Sequence, residues 1–364
     1  MLIITVISIL FAVLYLILVL HFIIGWKRTD TFIVADCELP DIFISVIVPC
    51  KNEAINMQPL LFSLAEQSYR NYEFILVNDH SDDATLEYML SAQARFSNIR
   101  VIDAVGCGKK NALREGIQQS SGDLIVTTDA DCIHSKQWLH TIAAFQYNCP
   151  GDLIICPVLF SGSSSLLATL QKFEFASLVA SGAGAAGVGK PILCNGANLA
   201  FTPTVWKENQ AKLRDEEQSG DDIFLLESVK KQGGIIQFLK SEDACVFVEP
   251  VESVNVFFRQ RRRWAAKSPT YTDWEMIATA CIVFGISLWF VILIGLSFYN
   301  SRYFFFLFFI FVIKYIIDTF FLHIVSKFFQ LQKVWLYSLL LSLVYPFYIV
   351  FVALSSFLIK PKSW

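Results

Sequence analysis

The ten residues DLIVTTDADC, Asp123–Cys132, decide how the rest of this chain is read. Leu124, Ile125 and Val126, followed by Thr127 and Thr128, form the short β-rich run expected of a strand buried on both faces. The run ends on two carboxylates, Asp129 and Asp131, spaced so that both can face one point from a turn. An isolated Asp-x-Asp equally suits the cap of a following helix. Placed directly after a buried strand, it suits a hard divalent ion, Mg²⁺ or Mn²⁺, bridging carboxylates to a substrate's phosphates.

Working outward, the same pattern recurs. FISVIVP (Phe43–Pro49), EFILVND (Glu73–Asp79) and IRVIDA (Ile99–Ala104) read as further strands, with helical patterns between them. This alternation predicts an α/β domain with a mainly parallel central sheet over roughly 40–268. Such sheets bind ligands beyond the C-terminal ends of their strands. The residues there are PCKNEA (Pro49–Ala54), NDHSDD (Asn78–Asp83) and the DADC already quoted, so Asp79, Asp129 and Asp131 fall on one rim.

The flanks are of another kind. Apolar residues make up 55% of the chain and aromatic residues 15%, with a mean hydropathy of +0.52, beyond the usual balance of a soluble domain. Leu2–Trp26 carries no charged residue and exceeds the ~20 residues needed to cross the hydrocarbon. A cleaved signal peptide is the competing reading, against which stand the length of the run, the missing basic start and the absence of a small-x-small site after it. Three more apolar stretches, about Trp274–Phe298, Tyr303–Val325 and Val334–Ile359, complete the expectation: one transmembrane helix over 1–26, a soluble insert, then three helices over 274–359.

Basic residues orient this arrangement. Lys27 and Arg28 after the first helix, and Arg259, Arg261, Arg262 and Arg263 before the second, place the insert on the cytoplasmic side of the inner (plasma) membrane. Lys327 and Lys333 agree, whereas Lys360 and Lys362 at the C-terminus do not. Lys314 and Asp318, one turn apart in an apolar segment, read as a mutually paired couple. Nine cysteines without CxxC pairs read as reduced thiols, with neither disulfides nor metal. A net charge of −3 gives no reason to expect nucleic acid.

The ordered set VPCKNEA, VNDHSDD, GKKNALREGI, TTDADC, GANLAF, SGDDIFL and QRRRW, spread over residues 43–264, resembles the inverting family 2 glycosyltransferases. That family includes membrane-embedded polysaccharide synthases and ceramide-glucosyltransferase-like glycolipid enzymes. The resemblance implies a GT-A-like nucleotide-sugar-binding domain that transfers a hexose or N-acetylhexosamine from a nucleotide-diphosphate sugar, most readily a UDP-sugar. It implies that Asp79 holds the uracil or ribose, that Pro49, Asn52 and Glu53 border that pocket, and that Lys109 lies near the nucleotide or its phosphates. Asp129 and Asp131 would form the metal site, with Asp131 in direct contact.

The same resemblance makes Asp222 the base that takes the acceptor hydroxyl proton, beside Asp221 where many relatives carry Glu. Gly196 and Asn198 of GANLAF would line the acceptor side. Gln260, Arg263 and Trp264 would form a QxxRW motif in which Arg263 stabilises the leaving diphosphate and Trp264 stacks on an acceptor sugar. Arg259, Arg261 and Arg262 are left to meet lipid headgroups. The expected partners are a nucleotide sugar, the bilayer, a lipid or glycan acceptor, and a second copy or partner subunit. A single-transfer lipid glycosyltransferase, a processive polysaccharide synthase and a non-catalytic nucleotide-sugar binder all stay open, with the first preferred because four spans are few to enclose a polysaccharide channel.

Overall fold

The computed structural model describes residues 1–34, 41–162, 165–210 and 220–358. Lys360 and Lys362 lie outside this set, as do Cys37 and Ser219. In chain order the elements are α1 (Leu2–Arg28), β1 (Ile44–Cys50), α2 (Ala54–Ala65), β2 (Tyr72–Asn78), α3 (Thr85–Arg95), β3 (Ile99–Asp103), α4 (Lys109–Gln118), β4 (Leu124–Thr127), β5 (Ile133–His134) and α5 (Trp138–Asn148). They continue with β6 (Leu153–Ile155), β7 (Val158–Phe160), α6 (Leu166–Gly187), β8 (Leu199–Phe201), α7 (Pro203–Asn209), α8 (Asp221–Lys231), β9 (Ile236–Phe238) and β10 (Val246–Val248). The last four are α9 (Val254–Ala265), α10 (Trp274–Tyr299), α11 (Tyr303–Val325) and α12 (Val334–Leu358).

These elements divide into two compact units. The α/β unit comprises Thr29–Ser161 and Leu193–Glu249; the helical unit comprises Met1–Arg28, Gly162–Ile192 and the chain from Pro250 on. In this grouping α6 and α9 pack with the apolar helices. Small residues in α6 account for part of this. A Cβ built on Gly25 of α1 would lie 1.7 Å from the carbonyl oxygen of Gly184, so only two glycines let these backbones approach so closely.

In the α/β unit the main sheet has the order β3-β2-β1-β4-β8-β6-β9. The first four strands are parallel, β8 runs antiparallel to both β4 and β6, and β9 is parallel to β6. All four expected strands are present. The central ones, β1, β2 and β4, are buried along their whole length, which is why they read as unbroken apolar runs. Helix α4 packs tightly on this sheet: a Cβ on Gly116 would come within 2.6 Å of Ile47 Cγ2. A second sheet, β5-β10-β7, lies within the same unit.

In the helical unit α1, α10, α11 and residues Val334–Ser356 of α12 are each long and apolar enough to cross a membrane. Several polar groups inside this bundle are partnered, although Thr319 Oγ1 and Ser338 Oγ find no hydrogen-bond partner among the described residues. Trp289 donates its indole N–H to Ser8 Oγ at 3.0 Å. The Lys314–Asp318 couple forms as expected, and Tyr15 joins it by donating to Asp318 Oδ1 at 2.7 Å while accepting from Lys314 Nζ at 3.1 Å.

Candidate active site

The rim of the α/β unit is built by the turns after β1, β2 and β4 and by the start of α8. The first two turns are stitched together. Asn52, with φ 55°, accepts the Asp82 N–H on its Oδ1 at 2.8 Å, and the Glu53 N–H donates to Thr85 Oγ1 at 2.8 Å. Asn52 thus holds the loop in shape, and Pro49 is buried in β1 opposite Val77.

Asp79 follows β2 and is fully buried. Its Oδ1 accepts the N–H of Gly108 at 2.8 Å, and Lys51 Nζ stands 3.6 Å from Oδ2, which accepts no hydrogen bond from any described residue. Gly108, at φ 96°, adopts a backbone that side chains rarely tolerate, and so delivers that N–H at the start of α4.

Helix α4 then presents two lysines to different partners. Lys109 Nζ meets Asp129 Oδ1 at 2.5 Å. Burial alone would lower the Lys109 ammonium, but Asp129 foremost, with Asp222 and Asp131, outweighs it and holds the ammonium above its ordinary value. Lys110 is buried and pairs with Asp221 Oδ1 at 3.4 Å. It shares an inward face with Leu113 and Ile117, at i+3 and i+7, which is the signal that separates it from Lys109 in the sequence.

Three carboxyls here are raised. Asp131 opens to solvent, yet enough protein surrounds it that desolvation, reinforced by Asp129, pushes its carboxyl up. Burial raises Glu53, with Asp131, Asp129 and Asp83 adding to it and a hydrogen bond from Asn56 opposing it. Burial likewise raises Asp221 against the pull of Lys110. Asp129, Asp222 and Asp131 therefore share the positive charge of Lys109, Glu53 adds a further carboxyl beside Asp131 and Asp129, and among the described residues the cluster is short of cations.

Asp222, in the first turn of α8, is held by backbone. Its Oδ2 accepts the Gly196 N–H at 3.0 Å and its Oδ1 the Ile223 N–H at 2.9 Å. The Gly196 carbonyl in turn accepts from Thr127 Oγ1 of β4 at 2.7 Å, which ties the α8 carboxylate to the strand that carries Asp129 and Asp131. Asn198 does something else. It is fully buried, its Oδ1 accepts from Trp138 Nε1 at 2.9 Å, and its amide donates to the carbonyls of Pro157 at 2.7 Å and Ala244 at 2.9 Å. That geometry makes Asn198 a scaffold residue in place of the acceptor contact expected.

Among the described residues no three acidic, histidine or cysteine side chains converge to hold a metal by themselves. Asp129 and Asp131 nevertheless offer hard oxygen donors in an under-neutralised cluster, which fits Mg²⁺ or Mn²⁺ held jointly with a diphosphate. Every cysteine among the described residues is a free thiol.

Gln260, Arg263 and Trp264 lie on α9 in the helical unit. Arg263 is half-buried and forms no ion pair with a described residue. Arg259 is exposed and Arg262 half-buried, but Arg261 corrects the expectation of a headgroup cluster. Only 2% of it is exposed, and its Nη2 meets Glu174 Oε2 of α6 at 2.5 Å. Two adjacent aromatic positions, Phe257 and Trp264 at i−4 and i+3, are the sequence signal for its inward face. Burial raises the Glu174 carboxyl, with Arg261 and Tyr348 opposing.

With this geometry in hand, comparison with known proteins is direct. The model of Glycosyl transferase family 2 matches residues 45–196, from β1 to Gly196, and that of Glycosyl transferase family group 2 matches 124–359, more than half of the chain. Glycosyltransferase AglE of Haloferax volcanii is 36% identical over 100 residues, 27% of this chain and 33% of that protein. Poly-beta-1,6-N-acetyl-D-glucosamine synthase of Staphylococcus epidermidis is 31% identical over 137 residues, 37% of this chain and 33% of the synthase. The matched region spans about a third of the length of these curated relatives. The mannosyltransferase PcManGT of Pyrobaculum calidifontis, solved with GDP-Man and Mn²⁺, shares the fold over 97% of this chain and 99% of its own, with a TM-score of 0.64 at 15% identity. The family models, the mixed sheet with its acidic rim and the four long apolar helices agree: the chain belongs to the family 2 glycosyltransferases.

Proposed function

We propose that this protein is an inverting transferase that moves a sugar from a nucleotide-diphosphate sugar, preferentially a UDP-sugar, to the hydroxyl of a lipid or lipid-linked acceptor at the cytoplasmic membrane face. The observation that carries this reading is the division of labour at α8: Asp221 is locked to Lys110, while Asp222 is oriented by backbone N–H groups. A carboxylate held this way is suited to accept a proton.

In the reaction, the acceptor oxygen attacks the anomeric carbon as its proton passes to Asp222, the bond from that carbon to the diphosphate breaks, and the nucleoside diphosphate leaves. Asp79 Oδ2, buried without a hydrogen-bond donor, suits an N–H of the base or a ribose hydroxyl. Asp129 and Asp131 would hold the divalent ion against the diphosphate, and Lys109 would keep Asp129 in place. When bound, the ion supplies charge neutralisation for the diphosphate; the Mn²⁺ of the Pyrobaculum mannosyltransferase supports its use here. Arg263, without an acidic partner among the described residues, suits a phosphate oxygen. Lys27, Arg28, Lys327 and Lys333 support the cytoplasmic orientation.

A processive reading is supported by the likeness to poly-beta-1,6-N-acetyl-D-glucosamine synthase and by the QxxRW motif. One experiment separates the two. The purified protein in native-lipid nanodiscs is incubated with a panel of radiolabelled UDP-sugars and GDP-mannose, with Mg²⁺ or Mn²⁺. Label entering organic solvent supports the lipid acceptor, label retained as polymer supports extension, and no incorporation from any donor sinks both. Excess chelator and Asp131→Asn should each abolish incorporation.

A further inference from the structure

We propose that Arg261 is a positioning residue for the QxxRW motif, fixing Gln260 and Trp264 through a buried anchor made by Glu174 and Tyr348. This rests on the glycosyl-transfer reading above. The contacts divide the guanidinium between its two Nη groups and its face, and Nε has no hydrogen-bond partner among the described residues. Nη2 binds Glu174 Oε2 at 2.5 Å, Nη1 donates to Gln260 Oε1 at 3.1 Å, and Cζ lies 4.1 Å from the Trp264 ring centre and 4.9 Å from that of Phe257. Glu174 is tied on its other oxygen, which accepts from the Tyr348 hydroxyl at 3.2 Å. Thus α6 and the membrane helix α12 both grip α9 at the residue lying between Gln260 and Trp264.

The anchor extends into the bundle. Tyr348 lies against Tyr345 with tilted rings whose centres are 5.6 Å apart, and Lys314 Nζ lies 5.1 Å from the centre of the Tyr345 ring. A contiguous set of polar groups therefore leads from the Lys314–Asp318 couple to the motif.

Two physical points argue for positioning over bulk stability. A buried ion pair adds little net stability compared with apolar residues of the same shape, because desolvation offsets the attraction. A planar guanidinium can also stack on an indole while hydrogen-bonding along its edge, which a lysine cannot. The arrangement spends a costly residue where two motif side chains need a fixed direction.

The test compares Arg261→Lys, Arg261→Gln and the double variant Glu174→Gln/Arg261→Gln with wild type in nanodiscs. Turnover of the labelled donor, its KM, UDP binding by titration and thermal unfolding are measured together. Arg261→Lys keeps the charge for Glu174, so unfolding should stay near wild type while kcat falls about ten- to a hundredfold, the scale of a side chain displaced by an ångström. Donor KM and UDP affinity should stay within about twofold, since only orientation on α9 is lost. Arg261→Gln alone should unfold early, leaving Glu174 unpaired. The double variant should regain the unfolding temperature and not the turnover. Acrylamide quenching of Trp264, taken as the difference from Trp264→Phe, should rise about twofold in Arg261→Lys as the stacked face opens. Wild-type turnover in Arg261→Lys, or turnover that returns with stability in the double variant, overturns the proposal. Incorporation by wild type in the same run reports separately on glycosyl transfer itself.

Discussion

At the rim of the α/β unit, Asp129, Asp131 and Asp222 share one ammonium among the described residues, Lys109, with Glu53 beside them; in the helical unit, Glu174 meets Arg261 and both are shut away. The first is an imbalance and the second a balance. A cluster short of cations favours a ligand that brings positive charge, whereas a closed pair offers nothing to a ligand and instead fixes the elements it joins. Neighbouring residues divide the same way in both units. Lys109 and Asp222 face the open cluster while Lys110 and Asp221 pair beside it, and Arg261 is closed in while Arg263 has no acidic partner among the described residues.

The largest expected effect separates the two aspartates of α8. Asp222→Asn should lower turnover at least about a thousandfold with UDP affinity within about twofold, because the proton acceptor is lost and the fold is not. Asp221→Asn should instead lower the unfolding temperature, since it removes the carboxylate that faces the buried Lys110 ammonium. Turnover per folded molecule and unfolding temperature, measured for both, would break the comparison if the two variants exchanged behaviours.

Next comes Arg263→Lys. It keeps the charge and loses the planar fork, so turnover should fall by a factor of roughly ten to a thousand at unchanged protein level. A wild-type rate would remove Arg263 from the diphosphate.

A smaller effect concerns pH. His134 is buried between Ser63 Oγ at 3.1 Å and Thr128 Oγ1 at 2.8 Å, against the Trp138 ring, and burial pushes its pKa down to about 3. Between pH 6.5 and about 3 the unfolded chain binds a proton that the folded site refuses. Stability should therefore fall on acidification below 6.5, by up to about 1.4 kcal/mol per pH unit. The raised carboxyls Glu53, Asp131 and Asp221 act with the opposite sign, so the measurement is the difference between wild type and His134→Gln between pH 7 and 5, where wild type should slope more steeply.

The smallest effect is expected for Arg259→Gln combined with Arg262→Gln. Neither meets an acidic partner among the described residues, and turnover per inserted molecule should stay within about twofold. A large loss of turnover there, with Arg263→Lys harmless, would move the catalytic cation to a neighbour.

What the sequence determined by itself is periodic or directional. Four long apolar runs, buried strands written as unbroken β-rich segments, and carboxylates placed just after those strands are local facts, because hydrogen bonding in lipid and burial on both sheet faces constrain each segment separately. What the tertiary structure decided is which of two adjacent residues faces which partner. Each step along a helix turns about 100°, so Lys109 and Lys110, one step apart, and Arg261 and Arg263, two steps apart, diverge according to what packs alongside. Those partners come from far along the chain: Glu174 is 87 residues from Arg261, and Gly196 is 26 from Asp222. The same physics took Asn198 out of the expected acceptor set, since Trp138, Pro157 and Ala244 satisfy its amide only once β6, β8 and the loop before β10 have come together. Nor did spacing mark α6 as part of the helical unit: the Gly25–Gly184 approach depends on two backbones meeting, and no local pattern around either glycine specifies the other.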